Sequence, residues 1–253
     1  MLRVDLNCDM GEGFGVYSAG SDHELMKYIT SANIACGFHA GDAATIRRTV
    51  KLALANKVAI GAHPGLPDLA GFGRRVMAIT PEEAYELTVY QLGAVQAFAR
   101  SEGGAVAHVK PHGALYNMAA KNRALADAIA EAVNRVDPSL LLFGLAGSEL
   151  IQAGAAIGLR TVSEVFADRS YESDGSLTPR ETEGAVIADP ARAAEQTIKM
   201  IRDGEVRTRQ HSPFILQADT VCVHGDTPGA VEHVIRLRAA LEAAGITVQR
   251  AGV

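Results

Sequence analysis

The chain predicts a β/α barrel of about seven parallel strands, a single domain over residues 1–253, and three observations carry that expectation. Short β-branched runs alternate with long Ala-rich helical stretches from one end to the other, the pattern of parallel strands joined by crossover helices. No linker, low-complexity stretch or composition break divides the 253 residues, and β/α barrels of this length are routinely one domain. Polar residues recur at the predicted strand ends, on the face where β/α barrels gather catalytic side chains.

The elements follow in order. Strands are expected at 2–7, 33–36, 58–62, 106–110, 140–145, 160–165 and 220–224, with an additional one at 246–249. In Thr80-Pro81-Glu82-Glu83 the threonine can cap a helix, proline suits its first turn, and Glu83 can close a capping box. Asp189-Pro190 and Thr227-Pro228 repeat the cap-plus-proline device, while Gly204 and Gly245 stand where helix C-termini need a left-handed residue. Three long loops remain, 8–22, 63–79 and 166–188, and loops of that length in a compact domain are usually functional.

Composition narrows the function. Apolar residues make up 48% and charged residues 21%, too apolar for a disordered chain, and 5% aromatics with no Trp argue against base-stacking platforms. A net charge of −5 without any run of five like charges excludes bulk electrostatic binding of nucleic acid or an anionic membrane. The apolar run Leu140-Leu141-Leu142-Phe143 is far too short to span a bilayer, and the N-terminus lacks a signal-peptide layout, so a cytoplasmic protein is expected. Cys8, Cys36 and Cys222 form no CxxC pair and read as reduced, buried small hydrophobes.

The candidate site collects Asn7 and Asp9 after the first strand, His39 and Asp42 after the second, and His63 after the third. Lys110 and His112 follow the fourth, Glu164 and Asp168 the sixth, and His224 and Asp226 the seventh. Three uses compete. One is a divalent metal held by Asp9, His39 and His63, lowering the pKa of a bound water for attack on an amide or ester. The second is metal-free acid–base catalysis by His and Asp/Glu, with Lys110 or a backbone donor stabilising an oxyanion. The third is binding without turnover. Gly11-Glu12-Gly13-Phe14-Gly15 follows a strand but fails the GxGxxG pattern at Val16, and no Gly-Lys dipeptide exists for a Walker loop. ATP chemistry would therefore need another loop or a partner. Arg74-Arg75 can clamp a carboxylate or phosphate, and Tyr116 and Tyr171 are candidate polar handles.

Four long segments resemble the LamB/YcsF family in the same order: Asp5-Leu6-Asn7-Cys8-Asp9-Met10-Gly11-Glu12, Asn33-Ile34-Ala35-Cys36-Gly37-Phe38-His39-Ala40-Gly41-Asp42, Gly61-Ala62-His63-Pro64-Gly65 and Lys110-Pro111-His112-Gly113-Ala114-Leu115-Tyr116. The match continues through Ser170-Tyr171 and Leu177-Thr178-Pro179-Arg180 to Val223-His224-Gly225-Asp226. The resemblance implies a distorted, glycoside hydrolase/deacetylase-like barrel and ATP-dependent opening of 5-oxo-L-proline to L-glutamate together with 5-oxoprolinase subunits B and C. Those partners would account for the missing ATP loop. It also implies a catalytic set of Asp9, Glu12, His63 and Lys110, with Asn7, His39, Asp42, His112, Tyr116, Arg180 and His224 around the substrate. Asp9 or His63 would then be base or metal ligand, Lys110 would offset oxyanion charge, and Arg180 would hold the substrate carboxylate. Two other readings stay open: a metal-dependent amidohydrolase or deacetylase acting alone, and a regulatory protein that only binds a lactam or carbohydrate. Association with a second copy is open as well.

Overall fold

The structure is a computed structural model, and residues 2–17, 21–223 and 229–253 are described. In chain order the elements are β1 (Arg3–Met10), α1 (Asp22–Leu25), β2 (Ser31–Ala35), α2 (Ala43–Ala55), β3 (Ala59–His63), α3 (Pro81–Ser101) and β4 (Val106–Val109). There follow α4 (Gly113–Lys121), α5 (Arg123–Val136), β5 (Leu141–Leu145), α6 (Glu149–Ala156), β6 (Arg160–Phe166) and α7 (Pro190–Asp203). The last are β7 (Glu205–Arg207), β8 (Pro213–Ile215), β9 (Thr220–Val223), α8 (Ala230–Ala243) and β10 (Thr247–Val248). β1 to β6 pair side by side in parallel, β6 pairs with β9, and β9 pairs back onto β1, closing a seven-stranded barrel. The additional strand forms as β10 but lies beside Arg3 and Val4 instead of entering the ring.

Two departures from expectation matter for the site. β1 runs on to Met10, so Asn7 and Asp9 lie within the strand and not beyond it. β7 and β8 form a separate antiparallel hairpin, and three residues per strand carry too little alternation to be read from sequence.

Period-two alternation in β1 sorts the barrel into two environments. Val4, Leu6, Cys8 and Met10 join the main apolar core, while Asp5 bonds to Ser31 and Thr220 on the neighbouring strands and Asn7 and Asp9 reach Glu164 of β6 and Lys110 just beyond β4 across the barrel lumen. The usual reading of such alternation puts the polar set in water; here it faces inward. Leu141, Phe143 and Val162 form a small apolar cluster with Ala251, and His108 stacks on Phe143 at 4.2 Å between ring centres.

The helix signals act as expected. Thr80 and Glu83 form the reciprocal capping box, worth about 1 kcal/mol, and Asp189 accepts from the Ala191 N–H above Pro190. Gly204 and Gly245 adopt φ of 67° and 74°. Thr227-Pro228 lies outside the described residues. All three cysteines are free and buried.

Candidate active site

Strand ends converge on a cleft of about 660 Å³, with Asp9, His63, Lys110 and His112 at its floor. Lys110 is the hub. Its ammonium lies 3.0 Å from Asn7 Oδ1, 3.1 Å from Asp9 Oδ1, 2.7 Å from Glu164 Oε1 and 3.2 Å from Cys222 Sγ. Burial alone would lower its pKa, but the Asp9 carboxylate, with Cys222 and Glu164 behind it, raises it well above the ordinary value. Burial likewise pushes Asp9 upward, and His63 and Lys110 overcome it and hold the carboxyl well below its usual range. Asp9 is thus ionised at neutral pH, with a quarter of its side chain open to the cleft. Three ammonium protons meet four acceptors, so Lys110 acts on a ligand through its charge and has no donor to spare.

Amide orientation below this hub is determined by hydrogen-bond direction. Asn33 donates to Asn7 Oδ1 at 2.8 Å and to Asp9 Oδ1 at 2.9 Å, while its own oxygen takes the His108 Nε2 proton at 2.8 Å. Asn7 donates to Glu164 Oε1 and Thr220 Oγ1 at 2.9 and 2.8 Å, and Tyr116 donates to Glu164 Oε2 at 2.7 Å. Burial, then the neighbouring Lys110 charge, brings His108 down to about 3, so it remains a neutral donor. Gly61 opposite must be glycine: an added Cβ would sit 2.0 Å from His108 Nε2.

Four donor groups form the second feature. One donor atom each from Glu12, His39, His63 and His112 lies within 4.8 Å of all the others. The His39 and His112 rings stack at 3.7 Å and 4°, packed around Gly65 and Gly73, where a Cβ would meet His39 at 2.5 and 2.6 Å. Burial, and then the other histidines, lowers both pKa values, His112 to about 3. Neither His39 ring nitrogen has a hydrogen-bond partner among the described residues. Three imidazoles and a carboxylate, one imidazole buried and unsatisfied, fit a divalent transition-metal cation. The expected trio of Asp9, His39 and His63 is not the group that converges. Glu12 and His112 join the two histidines, and Asp9 stays at the edge, 3.2 Å from His63 Nε2.

Arg74, Arg169 and Arg180 line the cleft wall, alongside Asp174 and Glu181. Arg74 lies 4.9 Å above the Phe72 ring, whereas Arg75 turns away to pair with Asp68. Arg169 is buried and donates to the Thr178 carbonyl at 2.5 Å; burial and the nearby Arg180 lower its pKa. This segment, part of loop 166–188, is braced by the β7–β8 hairpin. Phe214 of β8 packs where a Cβ on Gly175 would lie, and the Arg209 N–H donates to the Tyr171 carbonyl at 2.9 Å.

The remaining expected residues have clear places. Tyr116 lines the cleft and donates to Glu164. Asp42 caps α2 through the Thr45 N–H at 2.8 Å and takes the Gly15 N–H at 2.6 Å, which ties two loops together. Tyr171 is buried and its hydroxyl accepts from the Phe166 N–H, so it is a loop brace and no handle for a ligand. His224 and Asp226 lie outside the described residues. Glu164, expected after the sixth strand, lies within β6 and anchors the network, while sequence reasoning missed the parts played by Asn33, Arg169 and Thr220. The polar alternation Asp5, Asn7, Asp9 beside Ser31 and Asn33 was the available signal for the lumen residues.

The LamB/YcsF family model matches residues 4–252. A protein of Geobacillus kaustophilus (strain HTA426), named as the A subunit of 5-oxoprolinase, is 61% identical over 98% of this chain and 97% of its own length. The crystal structure of a lactam utilization protein from Thermus thermophilus superposes with a TM-score of 0.92 at 46% identity, covering 98% of this chain and 99% of that one. A family 4 carbohydrate esterase from Streptomyces lividans, 10% identical with a TM-score of 0.50 over 97% of this chain and 91% of its own, shares the fold alone.

Proposed function

The chain belongs to the LamB/YcsF family, and from that premise we propose that it is the A subunit of an ATP-dependent 5-oxoprolinase, opening 5-oxo-L-proline to L-glutamate with subunits B and C. End-to-end similarity at 61% identity to a protein named as the A subunit of 5-oxoprolinase carries the reading, and the cleft chemistry agrees with it. A volume of about 660 Å³ is in the range of small-molecule sites, roughly 300–1,000 Å³. The guanidinium groups of Arg74, Arg169 and Arg180 suit an anionic substrate, and Arg180 is the residue assigned to the lactam's carboxylate.

A five-membered lactam is a stabilised amide, so ring opening needs both activation and a positioned water. Phosphorylation of the lactam oxygen, supported by the partner subunits, activates the ring carbon toward water; the C–N bond then breaks as the nitrogen takes a proton, and a second water releases phosphate from the resulting acyl phosphate to give glutamate. This chain has no phosphate-loop motif of its own. Asp9 faces the cleft ionised and takes the proton of the attacking water, while Lys110 and Asn33 fix its Oδ1 and leave Oδ2 to do so. The buried Lys110 charge offsets negative charge developing on the ring-opened intermediate. Glu12, His39, His63 and His112 would hold a divalent cation, which would supply Lewis acidity toward a carbonyl or phosphoryl oxygen. No helix among the described residues is long and apolar enough to cross a membrane, and we assign the enzyme to the cytoplasm.

The test is glutamate release from 5-oxoproline and ATP by the co-purified three-subunit complex, with and without this chain. Release is expected only with it, and unchanged release in its absence overturns the assignment. The Glu12 and histidine cluster favours one second reading, a metal-dependent amidohydrolase acting alone. Turnover by the metal-loaded chain without partners or ATP would select that reading instead.

A further inference from the structure

Hydrogen-bond direction at the histidine cluster poses a problem that protein atoms alone do not solve. A backbone carbonyl only accepts, so His63 Nδ1, 2.6 Å from the Lys110 carbonyl oxygen, carries a proton. By the same logic His112 Nε2 carries one, 2.9 Å from the Phe72 carbonyl oxygen. Each neutral ring then has a bare lone pair on its other nitrogen, and those two nitrogens face each other at 2.9 Å. Lone pairs repel. Asp9 Oδ2, 3.2 Å from His63 Nε2, and Glu12 Oε1, 3.7 Å from His112 Nδ1, bring further negative charge to the same point. A cation has to lie among these atoms.

It could be a proton or a metal ion, and two features favour the metal. His39 Nε2 lies 3.7 Å from Glu12 Oε1, and this wholly buried ring has no hydrogen-bond partner at either nitrogen among the described residues. An unsatisfied buried polar group costs about 1–3 kcal/mol, and a proton held between His63 and His112 would leave that cost in place. Second, anchoring of the distal ring nitrogen by a backbone carbonyl is how metal-ligating histidines are oriented, and both His63 and His112 have it. Asp9 is differently placed. Its Oδ1 already takes the Lys110 and Asn33 donors, and only Oδ2 approaches one member of the cluster.

We propose that Glu12, His39, His63 and His112 bind one divalent transition-metal cation, with Asp9 outside the ligand set. Imidazole-rich sites suit zinc, cobalt or iron over magnesium or calcium. The assignment does not depend on which substrate the cleft takes.

The experiment uses the full chain, stripped with a chelator and titrated with Co²⁺ by visible absorption and with Zn²⁺ by calorimetry, with circular dichroism to confirm that each variant is folded. One ion per chain is expected. Glu12→Gln and His112→Ala should weaken binding by more than the roughly 10–100-fold that outer-shell losses cause, and Asp9→Asn by less than about threefold. X-ray absorption of the cobalt-loaded wild type provides a readout that needs no variant, with three imidazoles expected around the ion. Absence of saturable binding by the folded wild type, fewer than three imidazoles, or an Asp9→Asn loss equal to that of Glu12→Gln would overturn the assignment.

Discussion

Replacing Glu164 by leucine tests whether the lumen network is a single electrostatic unit. The wild-type carboxylate is fully buried, with Lys110 at 2.7 Å and Asn7 at 2.9 Å on one oxygen and Tyr116 at 2.7 Å on the other. Leucine fills similar space but leaves the Tyr116 hydroxyl without this acceptor, at about 1–3 kcal/mol. It also removes one of the charges facing a buried ammonium, and breaking a buried pair costs about 3–5 kcal/mol. These losses share a network and do not add; Lys110 keeps Asp9 and Asn7 keeps Thr220. The expected loss is therefore about 4 kcal/mol, or a melting temperature lowered by roughly 8–16 °C in a chain of this length. Glu164→Gln keeps one oxygen for Lys110 and lets the Tyr116 hydroxyl accept from the amide, so its loss should be roughly 1–2 kcal/mol. Urea unfolding at pH 7.5, read by circular dichroism, measures both. A leucine variant within 1 kcal/mol of wild type at unchanged m, or equal losses for the two variants, would refute the reasoning.

Other outcomes follow from the same geometry. Asp9→Asn should lower glutamate release by the assembled complex by about 10²–10⁴-fold with the fold retained, and a drop under tenfold would remove Asp9 from proton transfer. Asp42→Ala should cost about 1 kcal/mol as a lost helix cap and leave turnover unchanged; a large rise in KM would instead return Asp42 to the substrate site. Gly61→Ala forces a Cβ into the His108 ring and should destabilise by at least 1–3 kcal/mol, so a neutral result in unfolding experiments would contradict the packing described. Stability should fall as pH drops below about 6.5, because the unfolded chain takes up a His108 proton that the native state refuses until pH nears 3. The slope from this group is at most about 1.4 kcal/mol per pH unit, and His108→Phe should flatten it in unfolding titrations between pH 5 and 6.5.

The barrel was legible because its strands keep period two and its helices carry their own start and stop signals, Thr80 to Glu83 and Gly204 among them. Strand-end placement likewise brought Asp9, His39, His63, Lys110 and His112 into view from the residues alone. What resisted was direction. Alternation in β1 separates Asp5, Asn7 and Asp9 from Val4, Leu6 and Cys8, yet nothing in one strand says which set faces the lumen. Only ring closure decides that, and with it the burial of Asn33 and Glu164. The metal-type cluster was half legible for a similar reason. Glu12 and His112 come from the loops after β1 and β4, and the rings of His39 and His112 are packed by Gly65 and Gly73 of a third loop, positions that signal a turn but not its partner. The β7–β8 hairpin was too short to register, although it supports the wall that holds Arg169.

Closure of the ring by β9 against β1 also bears on how the protein is made. Asn7 and Thr220 are hydrogen-bonded across 213 residues of chain. At a synthesis rate of roughly 5–20 residues per second, β1 leaves the ribosome roughly 10–40 s before the strand that completes its surroundings. During that wait one edge of β1 is unpaired. Its alternate carboxylate and amide side chains are then exposed to water, which keeps soluble a strand that an all-apolar lumen would make prone to aggregate. The residues that later form the catalytic floor thus also shield the nascent chain, and the floor can assemble only once nearly the whole chain has been translated.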